Sequence, residues 1–484
     1  MLKTSYSNQL WRVKFSPIFG IVLLALIVAW HSGVVYSHAS HNKPEKGNVI
    51  SLTLEQAINL ALKANRRLLG SAYSLESREL SLSSAKSEFE LKIVPSTSVA
   101  FADDDKDVGA GVSLEKKFTF GTNASISPGI GRSDDEYTGK IGLSLDLPLL
   151  RGFGKEVSLD TVKASQFSLR TAERSFYLTK VNIVLDTVSA VYDIIKQREL
   201  VGLFKSQAER LRGHAEGARI KERVGLATPI DVYRAEIRLK DAEDSLTLAH
   251  EAIRNAKDRL KIILALPLEK SIDVSAPLKY ETVRIYPDDA IEIALNNRVE
   301  LEQTKDEIRE ARRKSGIARH NLLPQLDLVM GYARSSSSDD FGRSMRFDED
   351  IWSINLVSST EWARTSEKAA FQQSLINIRT ARLNLEAKQD EIKRDVRRQL
   401  EALMKAEERM KIRNEQIKQA EGKLALAKIK FNHGMADNFD VIEAETELQR
   451  ARDNLLSVET EYILGTYRIR AVVGTLIERT RRFE

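Results

Sequence analysis

The acidic residues with the clearest positional signature follow two glycine turns. Asp231 lies six residues after Gly225, and Asp440 lies six residues after Gly434. Glu443 adds a further carboxylate to the second segment. The chemistry that such side chains offer is electrostatic, because a carboxylate in the first turn of a helix caps backbone amides and offsets the helix dipole. Capping therefore suits Asp231 and Asp440.

Other kinds of site chemistry find no support in the 484 residues. The chain has no cysteine, and its seven histidines are scattered without a metal-ligand spacing such as HExxH. It contains no GxxxxGK[ST] phosphate loop and no recognisable nucleophile and base. We expect no catalysis, no metal site and no cofactor.

The segments that contain these acidic residues belong to an internal repeat that occurs twice in the sequence. Residues 57–62 read AINLAL and residues 290–295 read AIEIAL. A second match, without gaps at an offset of 209, places the segment 225–232 over 434–441. After each turn, apolar or small residues recur at alternating steps of three and four, which is coiled-coil spacing, and many of them are alanine.

Each half therefore predicts a mid-length helix, a strand region, a very long helix, a glycine turn and a second mid-length helix. The first repeat spans 50–264, with strands at about 95–149 and its turn at 225–229. A linker follows at 265–286. The second repeat spans 287–474, with strands at about 325–360 and its turn at 434–438, and residues 475–484 form a tail. Long helices of nearly 70 residues are on the order of 100 Å long, which suits a tube or fibrous bundle.

The strand regions have the two-residue alternation of membrane strands. Ile141, Leu143, Leu145 and Leu147 alternate with smaller or polar residues, and 326–332 and 352–356 repeat this pattern. Residues 109–118 and 123–130 are weaker strand candidates. A soluble sheet that caps a helical bundle is the alternative. Because one chain offers too few strands to close a barrel, a membrane location requires several copies.

The N-terminus predicts a secretory signal over residues 1–39. Lys3, Arg12 and Lys14 precede an apolar run, and small residues at 37 and 39 suit cleavage. An uncleaved anchor helix is the alternative, although the apolar run is short for a membrane span. Removing this segment lowers the net charge of +5 to about +2, which does not favour nucleic-acid binding.

Three features together resemble the TolC-like outer membrane efflux proteins. They are the opening SLTLEQAINLALKAN, the segment LPLLRGFG at 147–154 and the paired glycine turns. The resemblance covers about 50–475 and implies a mainly α fold with a membrane β-barrel part. Duplicated helical hairpins would form a tunnel in a homotrimer, and each copy would give four strands to a shared twelve-stranded barrel. Residues 109–131 would then extend an outer hairpin, with six spanning strands per chain as the alternative.

The resemblance also implies a function and partners. It predicts a passive exit duct in the outer membrane of a Gram-negative bacterium, extending into the periplasm. A periplasmic adaptor (membrane fusion protein) would join it to an inner-membrane RND-type pump or ABC transporter, for efflux or type I secretion. The alternative is a structural periplasmic coiled-coil scaffold held by an uncleaved N-terminal helix. Nothing in the chain identifies the cargo.

Site residues follow from the same resemblance. The adaptor would contact the two turns, through Gly225, Leu226, Thr228, Gly434 and Met435. Acids at the positions of Asp440 and Glu443, with Asp231, would form a negative collar at the periplasmic entrance, which attracts cations. The tyrosine and arginine that lock the entrance in some family members are replaced here by Phe431 and Ala436.

Overall fold

The computed structural model describes residues 49–102, 105–278, 286–433 and 435–479. The expected signal at 1–39 and Gly434 lie outside the described residues, as do parts of the expected linker and tail. The described ranges belong to one compact unit that begins at Val49.

The first half contains a short strand, two consecutive helices, four strands, a short helix and a long helical hairpin. In chain order these are β1 (Ile50–Thr53), α1 (Leu54–Ala64), α2 (Arg66–Ser87), β2 (Leu91–Ala102), β3 (Asp105–Lys117), β4 (Asn123–Ser133), β5 (Glu136–Pro148), α3 (Lys155–Ser158), α4 (Asp160–Arg223) and α5 (Pro229–Ile263).

The second half has a similar plan with fewer strands. Its elements are β6 (Ile272–Ser275), α6 (Pro287–Asn297), α7 (Val299–His320), β7 (Asp327–Ser338), α8 (Phe341–Ser344), β8 (Glu349–Val357), α9 (Thr365–Asn432) and α10 (Asn438–Val472). The fold class predicted from the sequence, long helical hairpins in duplicate with a strand region in each half, is confirmed.

The first helix of each half is broken, which the sequence pattern did not predict. The backbone is extended at Asn65, with ψ 124°, and at Arg298, with ψ 120°. Asn65 ends α1 and caps α2, because its Oδ1 accepts hydrogen bonds from the amides of Arg67 and Leu68. Its Nδ2 also donates to the carbonyl of Ile263, 2.8 Å away at the end of α5. This bond ties the break to the end of the returning helix.

The expected tunnel depends on the length of the two long helices. α4 has 64 residues and α9 has 68, so each is about 100 Å long at 1.5 Å per residue. Along α5 the buried residues include alanines seven positions apart, which are Ala235, Ala242, Ala249 and Ala256. Small side chains at this spacing let α5 pack closely along α4 as a coiled-coil pair.

Within the described residues, six strands form one antiparallel sheet in the order β2-β3-β4-β5-β7-β8. The resemblance implies four barrel strands per chain, whereas the sheet has six, because β3 and β4 pair along their lengths between β2 and β5. The strands also begin earlier than expected, at Leu91. Residues 109–131 failed to stand out because β3 and β4 are rich in glycine and serine, which weakens their apolar alternation.

The hydrophobic core lies in the helical part, where the broken helices meet the hairpins. One cluster joins α1 to the middle of α4 and includes Ala57, Val188 and Leu260. A second joins α6 to α9 and α10 and includes Ala290, Ile392 and Tyr462. A two-stranded parallel pair, β1 with β6, lies beside the first cluster and falls partly in the expected linker. No helix among the described residues has the length and apolar character needed to cross a bilayer.

Candidate functional site at the two hairpin turns

The first turn joins α4 to α5 through a left-handed glycine. Gly225 has φ +76°, a conformation that residues with a side chain rarely adopt. Its amide donates to the carbonyl of Glu222 and the amide of Leu226 donates to that of Lys221, at 2.9 and 2.8 Å, which satisfies carbonyls at the end of α4. The glycine is therefore explained by the backbone of the turn.

Thr228 and Asp231 start the returning helix as a reciprocal cap. The amide of Asp231 donates to the Thr228 hydroxyl oxygen at 3.4 Å, and the amide of Thr228 donates to Asp231 Oδ2 at 2.9 Å. The Thr228 hydroxyl also donates to Asp231 Oδ2, and these bonds lower the pKa of the Asp231 carboxyl. The capping role predicted for Asp231 is present.

The second turn repeats this cap with an acid in place of the threonine. The amide of Asp440 donates to Asp437 Oδ1 at 3.0 Å, and the amide of Asp437 donates to Asp440 Oδ2 at 3.2 Å. The amide of Met435 donates to the carbonyl of Lys430 at 2.8 Å, which matches the Leu226 bond of the first turn. Glu443, one turn into α10, is exposed.

Both turns present large apolar side chains to solvent. Leu226 is 77% exposed and Met435 is 69% exposed, and Ile230 and Tyr233 continue the exposed surface along α5. We call Leu226, Ile230, Tyr233 and Met435 the apolar tip. Exposed apolar groups clustered at the ends of hairpins are typical of protein contact surfaces.

A cleft of about 440 Å³ separates the two turns, lined by residues of both hairpins that include Leu226, Asp231 and Ala436. The Lys221 ammonium of the first hairpin lies 4.2 Å from the ring centroid of Phe431 in the second. Deeper in the cleft, His214 Nδ1 and Asn438 Oδ1 are 3.0 Å apart. Phe431 therefore contacts the other hairpin through a cation–π interaction, for which a tyrosine hydroxyl is unnecessary.

Sequence reasoning missed the buried carboxylate beside this cleft. Glu445 is only 4% exposed, and its Oε2 lies 3.5 Å from both Arg210 Nε and His214 Nε2 of α4. Its Oε1 lies 3.5 Å from Lys428 Nζ on α9. Glu445 thus meets cations from both hairpins. The repeat offered a signal, because Glu445 is the counterpart of Glu236 at the offset of 209.

The structure thus brings together the predicted residues of each turn that it describes. It places Gly225, Leu226 and Thr228 at one turn and Met435 at the other. Asp231 and Asp440 lie in the first turn of the returning helices, and Glu443 lies in the second turn of α10. In the described ranges, no group of three or more His, Asp or Glu side chains is arranged to hold a metal ion.

Comparison with known proteins gives this geometry a context. A family model described as outer membrane efflux protein matches residues 290–475. The outer membrane protein TolC of Vibrio cholerae is 23% identical over 371 residues, which cover 75% of this chain and 82% of that protein. The outer membrane efflux protein BepC of Brucella suis is 22% identical over 348 residues, with coverages of 71% and 74%.

Solved structures show the same fold. The outer membrane protein VceC of Vibrio cholerae superposes with a TM-score of 0.68 at 14% identity, over 87% of this chain and 96% of that one. The matched proteins are outer membrane transport proteins rather than enzymes. The family match over residues 290–475, the relatives and the shared fold together show that the chain is similar to the TolC-like outer membrane efflux proteins, and they support a place in the Gram-negative outer membrane with an extension into the periplasm.

Proposed function

We propose that this channel is the exit duct of a tripartite efflux or type I secretion assembly and works as a homotrimer. The observation that carries the proposal is the pairing of a membrane-type sheet with hairpins about 100 Å long that end in an exposed apolar tip. Such hairpins reach far from the sheet, and their ends offer a contact surface. A structural scaffold would give the sheet no role.

Three copies account for the edges of the sheet. Among the residues that the structure describes, strands β2 and β8 each have one paired neighbour, so each leaves a row of backbone groups unpaired there. In a bilayer each unpaired group costs several kcal/mol, so a spanning sheet must close on itself. Pairing between copies closes it, and the family resemblance supports three.

The turns are the proposed contact with a periplasmic adaptor. Leu226 and Met435 lie at the ends of the two hairpins, and Gly225 and Thr228 shape the first turn. Gly434 belongs to the same proposed contact. Asp440 and Glu443, with Asp231, are the proposed acidic collar around the entrance. Energy would come from an RND-type pump or ABC transporter of the inner membrane.

Crosslinking from the tip tests this proposal directly. The chain has no cysteine, so Leu226→Cys can carry a thiol-linked photocrosslinker at one defined position. We expect capture of a periplasmic adaptor in cells, identified by mass spectrometry, whereas the exposed control Lys305→Cys on α7 captures none.

Deletion of the gene should raise sensitivity to toxic compounds or abolish secretion of one polypeptide. An unchanged compound panel and secretome would refute the export role.

A further inference from the structure

The hairpin formed by β3 and β4 is inserted into the sheet rather than attached to it. β3 pairs with β2 from Asp105 to Lys116, all but its last residue, and β4 pairs with β5 from Asn123 to Ser133. β3 and β4 pair with each other as well. Both strands, with 13 and 11 residues, have the length of membrane strands.

One row of side chains crosses all six strands on the same face, and it is apolar throughout. Direct pairing partners in this row follow each other from β2 to β8, and they are Ile93, Leu114, Ile126, Leu143, Tyr332 and Trp352. Rows above and below on this face add Val99, Val112 and Ile130. On this face the apolar run extends from Val108 to Leu114 in β3 and from Ala124 to Ile130 in β4, and Lys106, Lys116 and Arg132 lie at its ends. An apolar band bounded by charged residues is what a lipid-facing wall requires.

The adjacent row, on the opposite face, is polar or small. It runs from β2 to β8 as Lys92, Glu115, Ser125, Ser144, Gly331 and Ser353. On β3 and β4 this face also carries glycines at 109, 111, 129 and 131. Alternation of apolar and polar faces marks a wall between lipid and water, and small residues leave the watery side open.

The turn of the hairpin lies at the helical end of the sheet. The amide of Gly154, just before α3, donates to the carbonyl of Phe120 at 2.9 Å. A Cβ on Gly121, which has φ +105°, would lie 2.5 Å from the carbonyl oxygen of Gly152. The turn is therefore built closely against the segment where β5 leads into the helices. A hairpin confined to the outer loops would not reach this end.

We infer that β3 and β4 are part of the membrane wall, so that three copies close an eighteen-stranded barrel with a wide, weakly sieving outer pore. The inference rests on the proposed trimer, because three six-stranded sheets give eighteen strands. With strands about 4.8 Å apart and tilted by about 40°, the backbone diameter is about 36 Å, against about 24 Å for twelve strands. The barrel then admits solutes too bulky for a twelve-stranded pore.

Distances between the three copies measure the barrel directly. A spin label on Ser353→Cys reports the separation of equivalent lumen-facing sites by pulsed electron resonance. We expect a separation about 1.5-fold that of a twelve-stranded barrel, since diameter grows linearly with strand number. In a variant lacking residues 105–134, the separation should shrink by about one third.

The deletion preserves the faces of the remaining strands. Register through β3 and β4 places Ile93 level with Leu143, so β2 and β5 can pair directly with their apolar faces aligned. A trimer with the same separation in both proteins would overturn the inference and leave the proposed duct standing. If no label-to-label distance between copies could be detected in the intact protein, no trimer would be present, and both the eighteen-stranded barrel and the proposed duct would be overturned.

Thiol labelling of the intact barrel gives a second, independent measurement that does not require the deletion variant to fold. Ser127→Cys faces the lumen and should react with a water-soluble maleimide in outer-membrane vesicles. Ile126→Cys, its neighbour on β4, faces lipid and should react at least tenfold more slowly. Equal, fast labelling of both positions would place the hairpin outside the membrane and refute the inference.

Discussion

Each hairpin has a salt bridge at the same position of the repeat, near its tip, but the carboxylate is buried in only one of them. In the first hairpin Arg219 Nε lies 2.7 Å from Glu236, whose side chain is 33% exposed. The counterparts at the offset of 209 are Lys428 and Glu445, and here the side chain of Glu445 is 5% exposed. The difference arises because α4 of the first hairpin packs over Glu445 and brings Arg210 and His214 to it.

The glutamate at this position of the repeat therefore has a different role in each hairpin. In the first hairpin it holds two helices of one pair together at the surface, where an ion pair contributes little. In the second it joins the two hairpins, where a buried carboxylate depends on its partners. The duplicated sequence specifies the hairpin, and the environment of each copy decides what the shared side chain does.

The largest expected effect comes from removing the buried carboxylate. Glu445→Ala should lower the local opening free energy at the second turn by about 2–4 kcal/mol, because it leaves cations without their partner at the junction. Glu236→Ala, the matched control, should change the opening free energy at the first turn by less than about 1 kcal/mol. Amide hydrogen exchange in the first turns of α10 and of α5 measures the two effects. Similar losses in the two variants would show that the junction does not depend on burial.

Acid should weaken the same junction without mutation. Burial raises the pKa of Glu445, but the contact with His214 and the charges of Arg210 and Lys428 outweigh it, so the pKa is lowered. Its stabilisation is therefore complete above the unfolded value of about 4.3 and is lost as the pH falls through the lower folded value. The local opening free energy near the second turn, measured by amide hydrogen exchange, should therefore fall over this pH range. Glu445→Gln should abolish this pH dependence. A profile unchanged in Glu445→Gln would assign it to another group.

The charge of the two turns differs as well. Arg234 in the first hairpin occupies the position of Glu443 in the second, so the second turn is the more negative. Asp440→Asn combined with Glu443→Gln should lower the cation-to-anion permeability ratio of single channels by about twofold. Asparagine keeps an oxygen for the cap, so the turn is retained. Asp231→Asn is the control and should have the smaller effect; equal effects would remove the distinction between the turns.

The smallest effect should come from an exposed pair whose charges are reversed between the halves. Arg212 pairs with Glu243 in the first hairpin, and their counterparts are Glu421 and Arg452. Arg212→Glu alone should cost about 0.5–1 kcal/mol in local exchange experiments, because it places like charges together. The double variant with Glu243→Arg should restore stability, since it copies the second hairpin. A double variant as weak as the single one would argue against direct pairing.

Sequence patterns that extend over many residues made most of the fold predictable. The three-four spacing after Gly225 and Gly434 and the matching segments predicted the hairpins, and the caps followed from local residue types. The breaks at Asn65 and Arg298 depend on tertiary contacts such as the bond from Asn65 to Ile263. Likewise, β3 and β4 are recognised through their register with β2 and β5, which no single segment reveals. Burial of Glu445 depends on α4, more than 200 residues away in the chain.

The alanines spaced seven apart along α5 have a mechanical consequence. A methyl group makes a shallow knob, so the helices of this pair interlock less deeply than leucine-rich coils do. Sliding or untwisting one helix along the other then forfeits few van der Waals contacts and opens no large void. The first hairpin should consequently be more compliant in twist than a leucine-rich pair of the same length.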